Sequence, residues 1–532
     1  MLNPVSAVHG VAVAPHALAA QSALAVLREG GNAIEAMVCA AATIAVVYPH
    51  MNSIGGDSFW LILPPGGDPV GIDACGPSGS LASLDFYRER GVSAIPMRGP
   101  LAANTVAGTV SGWIQALQLA KSHGARLPVR RLLGDAIGYA GEGIPVTRSQ
   151  HVATSVKLAE LKDQPGFART YLVDGEAPRA GSVFRQPGLH RTFTRLADEG
   201  LDSFYRGSLA EDFARSLSAV GSPVTREDLA RQQASIVRPL CLQHSLGRVY
   251  NIPPPTQGLV SLLILGMLDR VARDGALARP VDLVHLTAEA TKLAFDVRDR
   301  HICDPRDLTV DPQTLLDAKH LDQLAARIDS AKAAPWGKAR SQPGDTIWMG
   351  VTDRNGLAVS FIQSIYHEYG SGVVAGDTGV VWQNRGASFR LDPSHLLALR
   401  PGRKPFHTLN PAGARLDDGR TLVYGTMGGD GQPQTQAAVF TRYAMLGENA
   451  QRAVSLQRWL LGRTWGNATD SLKLERRFDP ALVSELRARG HEVELLEDFD
   501  EAAGHAGIIV KHPQGTLEAA ADPRSDGAAA GY

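Results

Sequence analysis

The stretch TIWMGVTDRNGLAVSFIQSI, residues 346–365, constrains the fold more than any other part of the chain. Ile347, Trp348 and Val351 favour an extended strand, and Leu357 to Ile365 is as rich in β-branched and aromatic residues. Between them Arg354-Asn355-Gly356 reads as a tight hairpin turn. Gly344 and Asp345, immediately upstream, belong in a loop by residue type. Thr346 therefore stands where a loop enters a strand. On local sequence alone it is an ordinary strand threonine.

The rest of the chain reads as helices first and strands later. His16–Glu29 has helical spacing and stops at Gly30-Gly31. Asn32 can cap the next helix, with Glu35 completing a capping box. That helix, Ala33 to Val47, is apolar on nearly every face and should be buried. Residues 107–121, 131–142 and 282–300 have helical spacing, and a further helix starts near Thr256, after the prolines Pro253 to Pro255. Beyond Thr346, strands are predicted at 346–354, 357–365, 376–383, 420–427 and 506–511, with helices near 433–447 and 480–490. At roughly 100–200 residues per domain, 532 residues allow about three domains or one large one with additions. Neither a repeat nor a low-complexity linker divides the chain. A helix-rich larger part and a strand-rich smaller part sharing one core give an α+β layered architecture.

Charge excludes some partners. Lys+Arg is 53 and Asp+Glu 54, so no basic excess points to nucleic acid or an anionic membrane. The longest apolar windows, Ala36–Tyr48 and Leu259–Leu268, fall short of the ~20 residues that span a bilayer. The N-terminus lacks the pattern of a signal peptide, so a cytoplasmic protein is expected. Cys39, Cys75, Cys241 and Cys303 are scattered singly, which fits free thiols. None has the spacing of a zinc site, and no metal or organic cofactor is called for.

Seven blocks in order resemble the γ-glutamyltranspeptidase family of N-terminal nucleophile hydrolases. They are GGNAIEAMVCAAATIAVVYPHMNSIGGDSFW, AGTVSGW, IPPPTQG, DTIWMGVTDRNGLAVSFIQS, YGSGVVAGDTGVVWQN, YGTMGGDGQPQ and the terminal DPRSDGAAAGY. The resemblance implies an αββα four-layer sandwich, two antiparallel sheets between helices. It also implies a precursor that cuts itself before a threonine. Carried over, the cut lies between Asp345 and Thr346, giving a large chain 1–345 and a small chain 346–532 that share one core. A hydroxyl is a weak nucleophile and needs a base. The freed α-amine of Thr346, with a pKa of roughly 7.7–8.0, supplies one on the same residue. Ser364 matches the family's supporting hydroxyl, and Gly428 and Gly429 match its oxyanion-hole pair. Glycine suits that place because two successive N–H groups can approach a substrate with no side chain in the way.

The departures from the family bear on substrate. A γ-glutamyl enzyme grips the α-amine and α-carboxylate of its donor. Where an arginine normally follows the GIDA strand, this chain has Cys75 after Ala74. Where an aspartate normally meets the amine, it has Ser388, and where two serines normally stand it has His407 and Thr408. Arg385, in QNRG, replaces a neutral amide contact and could take a carboxylate bidentately. A small carboxylated amide without an amine fits such a pocket. The blocks GIDACG, GRKPFHTLNP and RWLLGRTWG resemble most the family members that hydrolyse such amides, oxamate among them, in purine-nitrogen breakdown. Two other readings stay open: a γ-glutamyltransferase or glutathione hydrolase with a rearranged donor site, and an acylase. The partners implied are a small-molecule substrate and the two chains of one precursor. The oligomeric state is left open, a homo-oligomer of heterodimers included.

Overall fold

The computed structural model describes residues 3–272, 275–336, 345–463 and 469–532. The helix Ala33–Val47 begins at Asn32, whose side chain accepts from the N–H groups of Ile34 and Glu35 while Glu35 returns a bond to the Asn32 N–H. Every residue of this helix is buried, as its all-round apolar sequence requires. Helices Ala17–Arg28, Thr109–Ala120 and Val129–Glu142 pack around it, and Pro187–Glu199 packs on Val129–Glu142.

Two seven-stranded antiparallel sheets lie at the centre. One runs, edge to edge, Ala528–Gly531, Gly10–Ala14, Asp345–Asp353, Ala358–Tyr366, Asp57–Leu63, Val70–Ala74 and Ser235–Val237. The other runs Val5–Ala7, Leu517–Ala521, Gly507–Lys511, Thr421–Gly425, Ala412–Leu416, Gly247–Asn251 and Leu240–His244. The two-residue period of each strand sorts side chains into layers. Phe59, Leu61, Trp348 and Ile362 meet Val423 and Ile509 between the sheets. Trp60, Ile62, Ile347, Met349 and Phe361 face the first helical layer. Leu422, Tyr424, Ile508 and Val510 face a second layer built from Gly258–Val271, Pro280–His301 and Gly431–Phe440. The result is helix, sheet, sheet, helix, an α+β sandwich of four layers.

The part before Thr346 holds most of the helices, and the part after it is the richer in strands. Each sheet interleaves strands from both, as Asp345–Asp353 pairs with Gly10–Ala14, so the two parts share one core. Two expectations are corrected. Residues 376–383 form no strand; they carry only isolated bridges, Val374 to Val381 and Gly55 to Trp382. Gly376 and Gly379 both have positive φ there, which turns the chain away from an extended path. Asp345 is strand rather than loop, paired with Tyr366. Gly344 lies outside the described residues. The turn holds as read: Asp353 N–H donates to Leu357 O at 3.1 Å around Arg354-Asn355-Gly356, with Gly356 left-handed at φ +84°. Among the described residues, no helix is long and apolar enough to cross a membrane.

Candidate active site

The hairpin brings Thr346 against Ser364. Pairing shifts register between Asp345 and Ile347, so one extra residue of the return strand opposes Thr346. Thr346 Oγ1 donates to Ser364 Oγ at 3.2 Å, and the Tyr366 N–H donates to the same oxygen at 2.8 Å. Both hydroxyls are buried. The turn before Asp57–Leu63 lies so close that a Cβ on Gly56 would meet the Ser364 carbonyl oxygen at 2.1 Å, which is why glycine stands there. In this uncut chain the Thr346 nitrogen is an amide and carries no basic lone pair.

Gly428 and Gly429 follow the strand Thr421–Gly425 with φ of +114° and +52°. Their carbonyls are fixed: Gly431 N–H donates to Gly428 O at 2.8 Å, and Gln257 Nε2 donates to Gly429 O at 2.9 Å. Gln257 is itself held by Arg298 Nη1, at 3.3 Å from its Oε1, and the same Nη1 reaches Asp430 Oδ1 at 2.9 Å. Among the described residues no acceptor is bonded to the N–H of Gly428 or Gly429. Two adjacent N–H groups with locked carbonyls form a donor pair suited to an anionic oxygen.

A cavity of about 60 Å³ lies beside this framework, lined among others by Arg385, Ser388, Thr408, Tyr366, Arg298 and Phe406. Arg385, on the short 3-10 turn Arg385–Ser388, is 2% exposed and stacks its guanidinium 3.4 Å from the centre of the Tyr366 ring. Its Nη1 reaches Thr408 Oγ1 at 3.5 Å, the limit for a hydrogen bond. Among the described residues, Arg385 Nε, Arg298 Nη2 and Ser388 Oγ are buried with no hydrogen-bond partner. Burial lowers the Arg385 pKa. Two buried guanidinium groups thus put spare donors on one cavity, the kind of donor an anion can accept from. The three parts are joined in sequence. Ser364 holds the Tyr366 backbone, Tyr366 carries Arg385, Arg385 reaches Thr408, and Gln257 bonds both Thr408 O and Gly429 O.

His407 and Cys75 are not among the cavity's lining residues. His407 Nε2 is hydrogen-bonded to Asp57 Oδ2 at 3.0 Å, and its ring meets Phe59 edge-on. Asp57 Oδ1 accepts from the N–H groups of Gly76 and Gly108 and from Gln383 Nε2. Burial outweighs these donors and pushes the Asp57 carboxyl up to about 7. Burial, with Arg385 nearby, holds the His407 pKa well below its ordinary value, so the imidazole stays neutral. Cys75 Sγ donates to Gly76 O at 3.6 Å; burial drives its pKa far up and keeps it a neutral thiol. All four cysteines are free. Asp57, Cys75 and His407 bring ligand-type atoms within 4.8 Å of one another. The neighbouring Arg385 charge and the bonds already on Asp57 disfavour a cation there.

Asp57, Gln257 and Arg298 escaped the sequence reading as functional candidates. The first two sit inside blocks that carry the family resemblance, GGDSFW and IPPPTQG. Arg298 had no local signal: it is one of several charged residues at the end of a long helix.

The sequence profile described as Gamma-glutamyltranspeptidase matches residues 19–532. The chain is 64% identical over 525 residues to the oxamate amidohydrolase proenzyme of Klebsiella pneumoniae subsp. pneumoniae, covering 98% of each protein. It is 39% identical over 520 residues to the glutathione hydrolase-like YwrD proenzyme of Bacillus subtilis, again covering 98% of each. Among solved structures it superposes on cephalosporin acylase from Bacillus halodurans with a TM-score of 0.91 at 32% identity, covering 100% of this chain and 97% of that one.

Proposed function

The chain belongs to the γ-glutamyltranspeptidase family, and from that premise we propose that it is a self-cleaving amidohydrolase converting oxamate to oxalate and ammonia. The observation that carries the reading is the buried pair Arg385 and Arg298 on one small cavity, with no carboxylate among its named lining residues except Asp299. Asp299 is engaged by Arg298 Nε at 2.9 Å. A carboxylate is welcome beside Arg385, which has no carboxylate partner among the described residues, whereas the ammonium of a γ-glutamyl donor would meet that charge with Arg298 already paired to Asp299 and Asp430. The 64% identity to an oxamate amidohydrolase proenzyme supports the same substrate.

Maturation comes first. Thr346 Oγ1 attacks the Asp345 carbonyl, and hydrolysis of the resulting ester frees the Thr346 α-amine. In the cut protein that amine takes the Oγ1 proton as the oxygen attacks the oxamate amide carbon. Ser364 orients the hydroxyl. The N–H groups of Gly428 and Gly429 receive the oxyanion, each such donor being worth about 2.7–4 kcal/mol. The proton passes to the leaving nitrogen, ammonia departs, and an oxalyl ester remains on Thr346. Water, deprotonated by the same amine, cleaves the ester and releases oxalate. Arg385 holds the carboxylate throughout, with Thr408 and Ser388 beside it. His407 and Cys75 act one layer back, His407 by fixing Asp57 behind the guanidinium. The cytoplasm suits the four free thiols, and purine-nitrogen breakdown suits the substrate.

The test is a direct comparison on the processed protein. Ammonia and oxalate should appear in equal amounts from oxamate, and far faster than glutamate from glutathione. Faster glutamate release would overturn the substrate assignment.

A further inference from the structure

Far from the cavity, the helix Pro280–His301 carries His285 and Glu289 one turn apart on one face. His491, just beyond the helix Pro480–Ala488, closes onto them. All three side chains are buried, and each offers one ligand atom within 4.8 Å of the others. His285 Nδ1 and His491 Nε2 are 2.8 Å apart. The other nitrogen of His285, Nε2, lies 2.8 Å from the carbonyl oxygen of Asp329. A carbonyl only accepts, so Nε2 carries the proton and Nδ1 presents a lone pair. Moving one proton on His491 to its Nδ1 turns both facing nitrogens into lone pairs.

From this geometry we propose that His285 Nδ1, His491 Nε2 and Glu289 form a binding site for a divalent transition cation of the zinc class. Two imidazoles and one carboxylate suit such an ion. Bonds of about 2.0–2.1 Å in a tetrahedron separate two ligand nitrogens by about 3.3 Å, so the rings part by roughly half an ångström. The surroundings already have the form of a ligand support. A metal-bound histidine typically gives its second N–H to a carbonyl, as His285 does to Asp329. The second carboxylate oxygen of Glu289 is held by the Ala334 N–H at 3.0 Å. One cation already competes: Lys292 Nζ donates to Glu289 Oε1 at 2.6 Å and to Ala334 O at 2.7 Å. Lys292 Nζ spends its bonds on Glu289 and Ala334 and makes none to either imidazole, so a dication gains two bonds there that Lys292 does not make. The ion would shift Lys292 onto Ala334 alone.

The role is structural. Nine residues of helix, about 13 Å, separate Glu289 from Arg298 at the cavity. His285 and Glu289 precede Thr346 and His491 follows it, so in a chain cut at that point the ion would join the two fragments. It would also fasten the segment Asp329–Ala334, which leads toward the cut.

The experiment is titration of the purified, EDTA-stripped protein with Co²⁺, read by visible absorption, and with Zn²⁺, read by Tm. One Co²⁺ per chain with a tetrahedral spectrum, and a rise in Tm with Zn²⁺, are expected. His491→Gln and Glu289→Gln should each weaken Co²⁺ binding about 100-fold. Lys292→Met should tighten it several-fold by removing the competing charge, and it decides the matter should His491→Gln fail to fold. Absence of saturable binding, unchanged or weaker affinity in Lys292→Met, or loss of the ion in Cys75→Ser instead would each overturn the site.

Discussion

Around Thr346 the working groups are short and sit on regular strands or their ends; around the cavity they are long, charged and partly unsatisfied. Thr346 and Ser364 are held by the register of one hairpin, and Gly428 and Gly429 offer backbone alone. Arg385 and Arg298 reach into the cavity from a short 3-10 turn and a helix end, each with a buried nitrogen lacking a protein partner among the described residues. In the proposed mechanism the first region supplies what bond cleavage needs whatever the acyl group. The second has what choosing an anion needs. In the proposed mechanism self-cleavage, which involves no substrate carboxylate, draws only on the first.

The sharpest break between the regions comes from Thr346→Ala. It should leave the precursor whole and lower amide hydrolysis by about 10⁴-fold or more, since nucleophile and base are both lost. A gel showing a normally split Thr346→Ala protein would place the chemistry elsewhere. Arg385→Lys comes next. It keeps the charge and loses the two-pronged donor. At roughly 1.5–3 kcal/mol for a hydrogen bond to a charged group, kcat/KM for oxamate should fall about 10- to 150-fold while the precursor still cuts at its normal rate. Equal loss of both would mean that Arg385 supports the fold.

The hairpin region was largely legible and the cavity only half so, for a physical reason. The buried helix Ala33–Val47, its cap and the pairing of 346–365 are local patterns that periodicity and turn residues reveal. Leu240–His244, Gly247–Asn251 and the Ala-Gly strand Ala528–Gly531 are strands because of what they pair with, and their composition hardly announces them. Arg385, Ser388 and Thr408 were found through departures from a family pattern. Asp57 meets His407 across 350 residues of sequence, and Arg298 meets Asp430 across 132; no local signal encodes either approach. His407 illustrates the limit, since its residue type allowed a substrate contact while its Nε2 is bonded to Asp57.

A smaller effect tests the layer behind the cavity. With its carboxyl raised to about 7, folded Asp57 keeps a proton that the unfolded chain loses near pH 4. The folded state then binds more protons between those values, so this group's contribution to stability falls as pH rises through the window. The Tm of the native chain relative to Asp57→Asn should therefore decline from pH 4.5 to 7.5. Glu501, also raised to about 7, has the same slope in both proteins and cancels. A flat difference would mean that Asp57 is ionised throughout. The smallest effect concerns Cys75. Buried and held as a neutral thiol, it should resist iodoacetamide in the native protein at pH 8, whereas the partly exposed Cys241 reacts. Fast labelling of Cys75 would show that solvent reaches the wall behind Arg385.

Thr346 as both scissile residue and nucleophile is tested most directly by the intact masses of the purified protein's chains under denaturing conditions. Two masses are expected, matching residues 1–345 and 346–532, the second with threonine as its first residue. A single uncut chain that still hydrolyses oxamate, or a cut at any other bond, would contradict it.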